Sequence, residues 1–199
     1  MLIGFLMSSL RFASIVTHVS NPAVVAAVAS LVLLHAQDVV TPSFVGVSLG
    51  FGTVVPLGII YLLSKRGLIS NFLVSEKEER AKPFTGAVLS YLAGSLLFLL
   101  LGAPKIVTAL MLCYAGNTIV MMLITLRWKI SVHTSGIAGP TTVLIESLGA
   151  WAGIFFALLI PVGWARMRLK AHTSMQILAG ALVTIAATWL QLRIYLAIL

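Results

Sequence analysis

The chain has 199 residues, of which 60% are apolar and 9% charged, and its mean hydropathy is +1.09. A soluble domain carries roughly a quarter of its residues as Asp, Glu, Lys and Arg, so this composition excludes one and predicts an integral membrane protein. The net charge of +8 resides at the ends of apolar runs rather than on one amphipathic face, which argues against nucleic acid and for membrane lipids as partners.

Segment lengths predict an all-α fold, a polytopic membrane helical bundle with about six to seven transmembrane helices of ~20 residues each. Residues 21–199 are expected to form a single membrane-embedded helical domain. Residues 1–20 are apolar but broken by Ser8, Ser9, Arg11 and His18, which favours an interfacial or short packed helix without a crossing of its own.

The first two spans follow helix-start signals. Asn21-Pro22 introduces a span over residues 23–37, and Thr41-Pro42 introduces a second that continues to residue 64. Residues 65–82 then form the longest polar segment and hold three of the five carboxylates. This segment must lie outside the hydrocarbon or line a wet cavity.

Two further spans are predicted over residues 83–101 and 106–126, separated by the turn Gly102-Ala103-Pro104-Lys105. A second polar island follows at residues 127–136. The interval from His133 to Arg166 allows either one crossing or two that are shorter than the usual ~20 residues, with a turn near Gly149. Two crossings place every polar island on one face of the membrane. A last span over residues 174–197 brings the total to seven crossings.

Most cations then share that face, as the positive-inside rule alone would require. That rule does not explain why His133 and His172 occur in the same islands. Residues 165–176 read A-R-M-R-L-K-A-H-T-S-M-Q, so three cations and a histidine lie between two apolar runs. Several fixed donors in a positive field are what a phosphate group needs, and this stretch is predicted to bind an anion.

Three motifs in order resemble those of the type 2 phosphatidic acid phosphatase superfamily, in the manner of a divergent small prokaryotic member. Arg166-x5-His172-x3-Gln176 matches the spacing of its third motif, S-R-x5-H-x3-D. The second motif of the superfamily, P-S-G-H, is similar to I-S-V-H, which ends at His133. The end of its first motif, K-x6-R-P, is similar to E-R-A-K-P-F at residues 79–84. The chain differs by Lys82 for the motif Arg, by Gln176 for the motif Asp, and at Ser75, Ile130, Val132 and Ala165.

The resemblance implies a metal-independent lipid or prenyl phosphate phosphatase of a prokaryotic cell membrane, with no cofactor and with a phosphorylated lipid or isoprenoid as substrate. His172 would be the nucleophile that forms a phosphohistidine, Gln176 its orienting partner, and His133 the general acid. The phosphate-binding residues would be Arg166, Lys82, Arg80, Lys77, Ser131 and Lys129. Which membrane face carries the site is left open, as is the oligomeric state.

Each assignment has a structural alternative. His172 alone is also typical of a helix-start residue bonded to a backbone carbonyl, and His133 of an interfacial histidine. Arg168 and Lys170 are expected to anchor lipid headgroups. Glu146, a carboxylate inside a predicted span, is expected to bond Asn117 or Thr118. Glu76, Glu78 and Glu79 are expected to pair with Lys77 and Arg80.

At the level of function, the alternative is a non-catalytic binder or transporter of phosphorylated lipid with the same fold. A membrane prenyl transferase would need Asp-rich metal motifs, and Asp38 is the only aspartate. No Cys and His cluster predicts a metal site, and no Gly-rich loop predicts a nucleotide site.

Overall fold

The computed structural model describes residues 2–199, with side chains from Met7 onward. This part of the chain is all-helical, which confirms the all-α part of the predicted fold class. Its helices, named here in chain order, are α1 Leu2–Val19, α2 Pro22–Ala36, α3 Pro42–Lys65, α4 Ala81–Leu100, α5 Lys105–Thr125, α6 Val132–Leu148, α7 Ala150–Arg168 and α8 Ser174–Ile198. Helix α3 contains a π-helical turn at Gly50–Val54, and α7 begins as a 3-10 helix over Ala150–Leu158.

Local chemistry explains where the early helices begin. Asn21 caps α2 by accepting a hydrogen bond from the Ala23 N–H at 3.0 Å, and Pro22 occupies the first turn. Thr41 caps α3 in the same way through the Phe44 N–H at 3.2 Å. A proline in the first turn loses no intrahelical bond, so both starts agree with the predicted signals.

Five helices, α3, α4, α5, α7 and α8, are long and apolar enough to cross a membrane. A sixth span results if α1, from Met7, and α2 act together across their 51° bend. Helix α6 has 17 residues and is shorter than such a span. Many large apolar side chains face outward, among them Leu89, Leu96, Ile160 and Ile198. The fold is therefore compatible with an integral membrane protein.

The interval from His133 to Arg166 folds into two helices, α6 and α7, joined at Gly149. Gly149 has a φ of 91°, a conformation that costs glycine little and L side chains much, and α6 ends there. His133 lies in the first turn of α6 and Arg166 in the last turn of α7. Because the chain reverses between them, both residues reach the same end of the bundle.

Gly180 sets the distance between α6 and α8. A methyl group at this position would lie 2.5 Å from the Ser131 carbonyl oxygen and 2.5 Å from the Thr134 Oγ1. We expect Gly180→Ala to lower the free energy of unfolding by about 1–3 kcal/mol, because backbone cannot move aside as a flexible side chain can. Thermal unfolding in detergent measures this, with Gly58→Ala as the control, since nothing lies within 4 Å of a methyl group there. Equal melting temperatures for the two variants would contradict the close approach.

Candidate active site

A cavity of about 130 Å³ lies where the ends of several helices meet. Arg80, His133, Arg166 and His172 line it, and no carboxylate does. The rest of its wall is largely apolar, with Pro56 and Ile60 from α3 and Phe84 and Ala87 from α4. The cavity therefore combines a cationic end with an apolar flank.

Backbone contacts explain why residues distant in sequence converge here. Arg80 immediately precedes α4, while His172 lies in the short connection between α7 and α8. The starts of α6 and α8 are joined directly, because the Ser131 N–H donates to the Gln176 carbonyl at 3.2 Å and the Thr134 hydroxyl to the Ile177 carbonyl at 3.0 Å. Arg166 and His172 are tied by the His172 N–H, which donates to the Arg166 carbonyl at 3.3 Å.

The ring of His172 is oriented by Gln176. The two residues are four apart in sequence, and His172 Nδ1 lies 3.1 Å from Gln176 Oε1. The Thr173 N–H also donates to Oε1 at 3.1 Å, so this atom is the amide oxygen and not the nitrogen. An amide oxygen only accepts, hence Nδ1 carries the proton and Nε2 is left with its lone pair.

Gln176 serves a second purpose as part of the capping box of α8. The Gln176 N–H donates to Thr173 Oγ1 at 3.4 Å while the Gln176 side chain accepts from the Thr173 N–H. This box fixes the Gln176 side chain before any ligand binds. The sequence signature of a capping box is Thr followed three residues later by Gln, and it predicts this second role of Gln176.

Burial lowers the pKa of His172 to about 4, and the nearby Arg166 guanidinium adds to this effect. The hydrogen bond to Gln176 acts in the opposite direction, but it brings no negative charge. His172 is therefore neutral at pH 7, as a nucleophile must be.

Gln176→Glu is expected to raise the pKa of His172 by about 1 to 3 pH units, since a carboxylate beside Nδ1–H stabilises the imidazolium. Glutamate keeps the length that the capping box needs. Titration of the His172 ring by NMR measures the change, with His18, an exposed histidine of α1, as the internal reference. A His172 pKa unchanged from wild type would show that residue 176 does not contact the ring in solution.

His133 is 5% exposed, and its Nε2 has no hydrogen-bond partner among the described residues. The other side of the ring is held by the backbone carbonyl of Thr17 in α1. A buried polar atom without a partner costs about 1–3 kcal/mol, so its retention in a cavity wall calls for an explanation. A ligand that bonds Nε2 supplies one.

Two guanidinium groups, those of Arg80 and Arg166, are buried with 4% and 3% exposure. Arg80 donates to the carbonyls of Val74 at 3.2 Å and Ile130 at 3.0 Å, while Arg166 Nε has no partner among the described residues. Neither forms a salt bridge in that part of the chain. Glu76 and Glu78 act on the charge of Arg80 from outside the cavity wall, whereas no carboxylate among the described residues pairs with Arg166. Burying an unpaired cation costs several kcal/mol, so Arg166 is matched to an anion that the protein does not itself provide.

The other cations predicted for phosphate binding lie outside the cavity wall. Lys82 is exposed on the first turn of α4, because the helix turns it away from the face that continues from Arg80. Lys77 is half-buried and pairs with Glu78 at 3.7 Å, beside a separate shallow pocket that it shares with Arg80. Lys129 is half-buried, and its positive charge helps to lower the pKa of His172, but it does not line the cavity.

Ser131 is also used differently from the prediction. Its side chain caps α6 by accepting from the Thr134 N–H at 3.4 Å, and it is fully buried outside the cavity wall. Of the expected ion pairs of this segment, Lys77–Glu78 is present, and Glu76 and Glu78 act on the charge of Arg80 without a salt bridge to it. The prediction for Glu79 is wrong, since Glu79 accepts from the N–H and hydroxyl of Ser70 at 2.9 and 3.0 Å. Of the four predicted phosphate-binding cations other than Arg166, only Arg80 lines the cavity.

The predicted partners of Glu146 are wrong, and Asn117 and Arg168 have partners that were not predicted. Glu146 pairs with Arg193 at 2.6 Å and not with Asn117 or Thr118. Asn117 bonds α8 instead, donating to Thr188 at 2.8 Å and accepting from Gln191 at 3.0 Å. Arg168, expected to anchor headgroups, donates to Ser9 Oγ at 2.9 Å and so ties α7 to α1.

Three residues that line or support the cavity were not singled out from the sequence. Asn21 was recognised only as a helix start, and Thr17 offers a backbone atom that no sequence pattern reveals. Tyr91 could have been predicted from the spacing of one helix face, which also includes Arg80, Phe84 and Ala87. All except Thr17 line the cavity.

No protein-family model, curated protein or solved structure matches the chain significantly. Within the described residues there is also no group of three or more His, Cys, Asp or Glu side chains that could hold a metal ion.

Proposed function

We propose that this protein is a membrane-embedded, metal-independent phosphatase of lipid or isoprenoid phosphates, a divergent prokaryotic member of the type 2 phosphatidic acid phosphatase superfamily. The observation that carries the proposal is a cavity wall that holds two buried guanidiniums and no carboxylate, beside a neutral histidine whose Nδ1 proton is fixed. Seven membrane crossings, with α2 and α6 as short spans, complete the proposed topology and place Leu199 opposite the site.

In this mechanism Arg166 and Arg80 bind the phosphate oxygens and stabilise the charge on the transferring phosphoryl group. The monoanionic phosphate ester first gives its proton to His133 Nε2. His172 Nε2 then attacks phosphorus, the phosphorus–oxygen bond to the lipid breaks, and His133 passes that proton to the departing alkoxide. Water attacks the phosphohistidine as His133 takes a proton from it, and His133 returns this proton to the departing inorganic phosphate. The products are a lipid alcohol and inorganic phosphate, and the enzyme returns to its starting state.

The shape of the cavity supports a lipid as the substrate. Its apolar flank lies between α3 and α4, where Pro56, Ile60, Phe84 and Ala87 face the cations. A soluble phosphomonoester would leave this surface in water, whereas the first segment of a lipid tail covers it. The amphipathic cavity thus matches an amphipathic phosphate ester.

Phosphate release from a panel of lipid and isoprenyl phosphates, in the presence of a chelator, tests the activity. The full chain in detergent or lipid nanodiscs is compared with its Arg166 and His172 variants. Release by the wild-type protein alone is the expected result. Equal release by wild type and variants would assign the activity to a contaminant and would refute the proposal.

A lipid-phosphate binder or transporter is the second candidate function, and Gln176 is the observation that favours it. Its neutral amide stabilises the developing imidazolium less than the aspartate of the superfamily motif would. A binder would be protected against heat by phosphorylated lipid and would release no phosphate. The two functions are separated by measuring protection and release on the same preparation.

A further inference from the structure

Three polar side chains of the cavity wall, those of Asn21, Tyr91 and Thr118, have no part in the proposed mechanism. Asn21 and Thr118 are bonded to backbone groups, so Tyr91 is the one without a partner in the part of the chain that the structure describes. Tyr91 is 9% exposed and makes no side-chain hydrogen bond among the described residues. It lines the cation-bearing cavity and also a smaller, deeper cavity of about 60 Å³. Its hydroxyl is thus a buried donor and acceptor that opens into space beyond the phosphate site.

The position of Tyr91 along α4 gives the cavity a direction. Arg80, Phe84, Ala87 and Tyr91 form one face of the helix, and a rise of 1.5 Å per residue separates the first from the last by about 16 Å. Side chains of a helix lean toward its N-terminus, so the tyrosine ring points back toward the cationic end. A ligand that extends from the guanidiniums along this face meets the Tyr91 side chain at its far end.

The neighbouring Tyr114 shows what a tyrosine of this bundle does when its role is structural. The two rings pack with centroids 5.6 Å apart. The Tyr114 hydroxyl donates to the Ala26 carbonyl at 3.4 Å and also bonds the Ser30 side chain. Tyr114 therefore supports the ring of Tyr91 while its own hydroxyl is satisfied by protein, which leaves the Tyr91 hydroxyl as the one available to a ligand.

We propose that Tyr91 recognises a second oxygen of the substrate, an ester or hydroxyl oxygen a few bonds from phosphorus, as on a glycerol backbone. This inference rests on the proposed function of the same cavity. An isoprenyl phosphate offers only hydrocarbon beyond its phosphate ester and would leave the Tyr91 hydroxyl buried without a partner, which costs about 1–3 kcal/mol. Tyr91 is thus a specificity-determining residue that favours glycerol-based lipids over isoprenyl lipids.

Binding is measured as protection against thermal unfolding by two ligands, a diacylglycerol 3-phosphate and an isoprenyl monophosphate, over a concentration series. Wild type should bind the diacylglycerol phosphate more tightly. Tyr91→Phe should weaken that affinity by about 5- to 10-fold, in line with a single lost hydrogen bond, and leave the isoprenyl affinity unchanged. Tyr114→Phe is the matched control: it should lower the ligand-free melting temperature, because it removes the bond to the Ala26 carbonyl, but keep the wild-type ratio of the two affinities.

An unchanged ratio in Tyr91→Phe, or tighter wild-type binding of the isoprenyl phosphate, would overturn the assignment and leave the Tyr91 hydroxyl to a bound water. Because protection does not require turnover, these outcomes are distinct from a failure of the phosphatase proposal, which is read from phosphate release. Absence of protection by either lipid would also overturn the Tyr91 assignment, whereas the phosphatase proposal fails only if no phosphate is released.

Discussion

Replacing His172 by alanine should lower kcat/KM for phosphate release by about 10³-fold or more, the loss expected when a nucleophile is removed. His172 is the ring whose Nδ1 proton is fixed by Gln176 and whose other nitrogen is free to attack. Its backbone contacts do not depend on the ring, because the Ala171 and His172 N–H groups both donate to the Arg166 carbonyl. The variant should therefore fold and still bind phosphorylated lipid.

His18→Ala is the matched control for this experiment. His18 is exposed on α1, and its Nδ1 lies 2.8 Å from the Ser14 carbonyl, outside the cavity. Its removal should leave kcat/KM within about twofold of wild type, as expected for a surface position. Substantial activity in His172→Ala, with intact binding, would mean that another group attacks phosphorus.

Arg166→Met should have opposite effects on activity and on ligand-free stability. Loss of the guanidinium should lower kcat/KM by about 10²- to 10³-fold, as for other groups that stabilise transition-state charge. The same change should raise or preserve the melting temperature without ligand, because methionine fills similar space without burying a charge. A structural arginine behaves differently, since its replacement leaves its partners unsatisfied and destabilises the fold.

Two further variants complete this test. Arg166→Lys keeps a charge but loses the planar fork that binds two phosphate oxygens, so most of the activity should remain lost. Arg168→Ala removes a cation two residues away that bonds Ser9 and lies outside the cavity. It should retain activity while weakening the packing of α1 on α7. A fall in melting temperature for Arg166→Met, with activity intact, would assign Arg166 to the scaffold.

The sequence predicted those features that depend on local pattern. Proline and cap residues gave the starts of α2 and α3, and apolar runs gave the all-helical class. The four-residue spacing of His172 and Gln176 predicted a hydrogen bond that the structure shows at 3.1 Å. Each of these depends on residues within one or two helical turns of one another.

Features that depend on packing between distant helices were not predictable in the same way. Arg80, and not Lys82, lines the cavity because α4 begins at Ala81 and its rotation is set by neighbouring helices. The Glu146–Arg193 pair joins α6 to α8 at a separation that no local pattern encodes. The number of spans could not be predicted from segment length, because α2 has 15 residues and α6 has 17, fewer than the ~20 of a usual span.

The central claim is that His172 becomes covalently phosphorylated during turnover. Wild-type protein is mixed with a ³²P-labelled lipid phosphate, quenched in base within the first turnovers, and digested for mass spectrometry. Label on the peptide that contains His172, at the ring and chased away by unlabelled substrate, is the predicted result. Steady phosphate release with no label on His172, under conditions that preserve phosphohistidine, would contradict the account.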